Sequence, residues 1–66
     1  MAGIRLRFVV YKLGGQIYPK VIGEDQQFLE PNGSRKLIDI TKSGDLGSVL
    51  LQELVSNAVS KARLLG

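Results

Sequence analysis

Arg5, Arg7, Tyr11, Tyr18 and Lys20 are the side chains whose types and spacing come closest to a chemical signature. On two strands joined by a tight turn they fall on one face, cations beside aromatic rings. Such a face can hold phosphates with its cations and stack bases on its rings, as binders of single-stranded nucleic acid do. Arg35 and Lys36 extend the basic path if a third strand lies alongside. The same residues have a plainer reading. Alternating Arg on a strand guards a sheet against edge-to-edge association, and a Tyr–Tyr cross-strand pair is ordinary sheet filling. Val9, Ile22 and Leu37 also fall on this face and make it half apolar, which suits a protein partner at least as well.

Little else points to a reaction. The chain contains no His and no Cys, the commonest acid–base and nucleophilic groups. Disulfides and Cys/His zinc sites are thereby excluded. The carboxylates are scattered, and the adjacent Glu24 and Asp25 read as solvated loop charge. Residues 13–16 (LGGQ) and 32–36 (NGSRK) lack the spacing of a phosphate-binding loop. No catalytic residue, metal ligand or cofactor is expected, and the chain is read as a non-enzyme. With nine basic and six acidic side chains its net charge of +3 is a mild bias that permits nucleic acid or an acidic partner and demands neither.

The elements that must carry these residues follow from pattern. Residues 4–11 (IRLRFVVY) alternate and then become apolar throughout, and residues 16–22 (QIYPKVI) form a second strand-like run. Gly14-Gly15 near their junction favours a two-residue hairpin turn, whose central residues need positive φ. That turn pairs Leu13 with Gln16, Tyr11 with Tyr18, Val10 with Pro19 and Arg5 with Glu24. It gathers Ile4, Leu6, Phe8, Val10, Ile17 and Val21 on a core face. A slip of one residue would scramble both faces. Pro19 has no N–H to offer outward, so the third strand is expected beside the first, order 2-1-3, with a 1-2-3 meander as the alternative. Residues 36–41 (KLIDIT) are that third strand, with Ile38 and Ile40 toward the core and Leu37 and Asp39 opposite. In the polar stretch before it, Phe28 and Leu29 are expected to pin the loop or to form a short extra strand.

Asp45 is a good N-cap for a helix over about 46–64. Leu51, Leu54, Val55, Ala58, Ala62 and Leu65 share a face about 100° wide, and Leu50 and Val59 widen the arc. The spacing 51, 55, 58, 62, 65 resembles a short a/d seam. The expected fold is α+β: one small β-β-β-α domain over 1–66, a three-stranded, mainly antiparallel sheet (hairpin 4–22 plus strand 36–41) with the C-terminal helix packed on one face.

A chain of 66 residues buries only about 60% of its unfolded surface, so a domain of this size often leans on disulfides, metals or oligomerisation. The excess apolar arc of the helix points to the last of these. The expectation is a small self-associating module, a homodimer or higher homo-oligomer, with Leu50, Leu51, Val55, Ala58, Val59 and Ala62 as its interface and a nucleic-acid-binding face as the alternative. No apolar run approaches the roughly 20 residues that span a bilayer, and residues 1–15 show no secretory h-region, so no membrane association and a cytoplasmic location are expected.

Overall fold

Gly14 and Gly15 take φ of 60° and 81°, the left-handed pair of values that a two-residue hairpin turn requires. They join β1 (Leu6–Leu13) to β2 (Gln16–Gly23) in the computed structural model, which describes residues 5–42 and 51–66. The hairpin register is the expected one throughout, from Leu13 opposite Gln16 to Arg7 opposite Ile22. β3 (Arg35–Lys42) lies antiparallel to β1 on its other side, so the sheet order is β2-β1-β3. The elements end with α1 (Leu51–Leu65), which packs against the sheet. Ile4, Leu50, the Asp45 cap and the first part of the expected helix lie outside the described residues.

Two features depart from expectation. Val10 pairs with Ile38 but Tyr11 pairs with Lys36, so Leu37 is an extra residue at a β-bulge. The bulge turns Leu37 away from the outer face: it packs against Val10, Ile38, Ala58 and Ala62 on the helix side. The second departure is the connection between β2 and β3. These strands flank β1 and run in the same direction, so residues 24–34 must cross a face of the sheet. The helix occupies one face, and the loop crosses the other. No extra strand forms in it. Phe28 does pin the loop, its ring centroid 5.6 Å from that of Tyr11, while Leu29 stands 76% exposed.

β1 is therefore covered on both sides. Phe8, Val9 and Val10 are 2%, 0% and 0% exposed, which explains why its alternation gives way to a continuous apolar run. On the helix side the contact is made by Ala58 and Ala62, both buried. Side chains this small let the helix backbone approach the strands. At the far end Lys12 Nζ donates to the Gly66 carbonyl at 3.0 Å, placing a cation where the helix leaves its last carbonyls unpaired.

Candidate functional site

The outer face of the sheet carries Arg5, Arg7, Tyr11, Tyr18, Lys20 and Lys36, as the pairings Val9–Lys20, Tyr11–Tyr18 and Tyr11–Lys36 require. Arg35 does not join them. It pairs with Lys12 beyond the bulge, on the helix side. Arg7 sits at the centre of a polar cluster. Its Nε is 3.1 Å from Asp39 Oδ1 and its Nη2 2.6 Å from Asp39 Oδ2, a bidentate pair. Its Nη1 donates to the Gln26 carbonyl at 3.1 Å and so ties the crossing loop to the sheet. Lys36 Nζ reaches Asp39 Oδ2 at 3.1 Å, and Arg5 Nε reaches Glu24 Oε2 at 3.2 Å. The hydrogen bond from Arg7 outweighs the opposing desolvation and, with a lesser one from Lys36, holds the Asp39 carboxyl below the usual range. The same bond raises Arg7.

Beside this cluster Tyr11 lies between two rings. Tyr18 stacks on it at 5.6 Å and 26°, and Phe28 leans on it at 5.6 Å and 41°. Val9 and Ile22 are buried on this same face. A phosphate arriving here would have to displace carboxylates from Arg5, Arg7 and Lys36. Lys20 is exposed and makes no ion pair among the described residues.

On the other face α1 lies more over β1 and β2 than over β3. A groove of about 190 Å³ runs between the helix and the far end of β3, with Phe8, Ile40, Leu54 and Ala58 as its apolar walls and Lys42, Asn57 and Lys61 at its rim. Ile40 remains 39% exposed. Of the expected interface residues, Ala58 and Ala62 are taken up in the chain's own core, Val55 and Val59 are half-buried, and Leu51 is 44% exposed. Among the described residues no three His, Cys, Asp or Glu side chains group as metal ligands, and no helix is long and apolar enough to cross a membrane.

Sequence reasoning missed Asp39 as the partner of Arg7 and Gln26 as its tether. A signal for the loop cover was present. The strand order that Pro19 favours obliges residues 24–34 to pass over β1. Comparison of the chain with known protein families, with curated proteins and with solved structures finds no match.

Proposed function

We propose that this chain is a self-associating interaction module without catalysis of its own, working in the cytoplasm as a homodimer or higher homo-oligomer. The reading rests on the unfinished helix side of the sheet. One helix leaves Ile40 39% exposed next to the groove between Phe8 and Leu54. The buried apolar set among the described residues is short, and two of its members are alanines. A second copy laid over the open strip would add apolar burial at about 25 cal/mol per Å², in a chain with no cysteine to staple it. The alternative, nucleic acid on the outer face, draws support from Lys20 and less from Arg5, Arg7 and Lys36, whose charges meet carboxylates.

Light scattering at low and high micromolar concentration, with and without a random single-stranded oligonucleotide, tests both readings. The expected outcome is a mass above that of one chain, rising with concentration and unchanged by the oligonucleotide. A monomer at high micromolar concentration overturns self-association. A complex with the oligonucleotide that dissolves steeply with salt would move the choice to the alternative.

A further inference from the structure

We infer that self-association runs through the outer edge of β3, two copies pairing antiparallel about a two-fold axis at Ile40 to make one continuous sheet. This rests on the self-association proposed above and names its surface. The edge of a sheet presents unpaired N–H and C=O groups that template another strand, and this sheet treats its two edges differently.

In a two-residue hairpin the residues flanking the turn exchange both backbone bonds, and every second pair repeats this. Leu13–Gln16, Tyr11–Tyr18, Val9–Lys20 and Arg7–Ile22 are those pairs. The outward backbone groups of β2 then belong to Ile17, Pro19, Val21 and Gly23. Pro19 has no N–H. The Gly23 N–H donates to Gln26 Oε1 at 2.7 Å, and its carbonyl accepts from the Gln26 N–H at 3.0 Å. The β2 edge is closed at its middle and at its end.

Among the described residues β3 is closed only at its start. Val10–Ile38 and Phe8–Ile40 carry the ladder to β1, so Asp39 and Thr41 turn their backbone groups outward, as does Lys36 before the bulge. The Lys36 N–H donates to Glu30 Oε1 at 3.1 Å. Among the described residues nothing meets the outward groups of Asp39 and Thr41.

Antiparallel pairing of this edge with itself must set outward residues against outward residues. Centred on Asp39 it places two carboxylates directly opposite, which is destabilising. Centred on Thr41 it sets Ile40 against Lys42. Centred on Ile40 it lets each Asp39 exchange backbone bonds with Thr41 of the other copy. It also puts Ile40 against its own equivalent as a non-hydrogen-bonded pair, where side chains approach closest. Ile40 is the half-exposed wall of the Phe8–Leu54 groove, so this register buries the apolar strip left open by the helix.

Thr41→Pro removes an outward N–H and spares the bonds to β1. The wild type is expected to sediment as a dimer and the Thr41→Pro chain as a monomer with unchanged far-UV circular dichroism. Arg63→Ala, on the β2 side of α1 beside Gly15 and Gln16, is expected to stay dimeric. A folded Thr41→Pro chain that remains dimeric overturns the edge inference and leaves self-association standing. A monomeric wild type overturns both. Hydrogen exchange on the wild type tests the same point without any substitution. The Asp39 and Thr41 amides should be slow in the associated form and fast on dilution, and free exchange of both in the dimer overturns the inference.

Discussion

The two faces of the sheet are closed by different means. On the helix side Phe8, Val10 and Ile38 meet Ala58 and Ala62, with Ile17 and Leu37 packed around them. The contact is apolar and non-directional, and its strength follows the area removed from water. On the loop side the crossing segment brings one half-buried ring, Phe28, against Tyr11, on the face where Val9 and Ile22 are buried. It supplements that ring with directional bonds, from Arg7 to the Gln26 carbonyl and from the Lys36 N–H to Glu30, beside the strand-to-strand pairs that Asp39 makes with Arg7 and Lys36. A helix with an apolar arc can cover a sheet by burial alone. A polar loop must be fastened at points. The helix face is therefore expected to carry most of the stability and keeps exposed apolar surface at Ile40, whereas the loop face is largely self-satisfied.

The largest test of this comparison is Phe8→Ala. Removing a fully buried Phe costs about 3–5 kcal/mol, as much as a core in a chain this small usually supplies. The expected result in a urea titration is loss of the cooperative transition. A transition that survived with a small midpoint shift would mean that the helix side is not the principal core.

Particular residues show how much of this was legible in the sequence. Gly14-Gly15 set the hairpin register because a two-residue turn admits only one pairing of the strands it joins. Pro19 pointed to the strand order through its missing donor. The helix was plain from its period, and Ala58 and Ala62 lay on its expected stripe. β3 was harder. The connection over residues 24–34 is long, and a long loop imposes no register on the strand it leads to. The bulge at Leu37 exchanged the faces of Arg35, Lys36 and Leu37 relative to a regular strand, and no local signal marks it. The partnership of Arg7 with Asp39 depends on that register and was hidden with it. The basic character of the outer face was visible in composition. The Arg5–Glu24 pair was legible in the hairpin register, but that Asp39 answers Arg7 and Lys36 was not, because Asp39 is 32 residues from Arg7.

Phe28→Ala tests the loop side at its one apolar anchor. An aromatic pair adds about 0.5–1.5 kcal/mol beyond its buried area, and this ring is only half-buried. A loss of about 1–2 kcal/mol is expected, with faster amide exchange at Gln26 and a weaker near-UV signal from Tyr11. The cooperative transition should survive. A cost equal to that of Phe8→Ala would erase the distinction between the two faces.

The smallest effect expected concerns Asp39, and acid is the means of reaching it. The bond from Arg7 holds the Asp39 carboxyl below its usual range in the folded chain. A carboxyl with a lowered folded-state pKa gives its full contribution above the unfolded value, near about 4, and loses it as pH falls through the folded value. Stability should therefore decline on acidification below about pH 4. Asp39→Asn should remove part of that decline while lowering stability at neutral pH. Both side chains of the pair remain 23% exposed, so salt screens it and the effect should fall below that of Phe28→Ala. Amide exchange along 24–34 distinguishes this from a general loss of stability. In Asp39→Asn at pH 7 the guanidinium keeps the Gln26 carbonyl but loses its orienting carboxylate, so the loop amides should exchange faster while those of Phe8 and Val10 hold. Uniform acceleration across both faces would show that the loop and helix sides open together, and that the sheet is one cooperative unit however differently its two covers are attached.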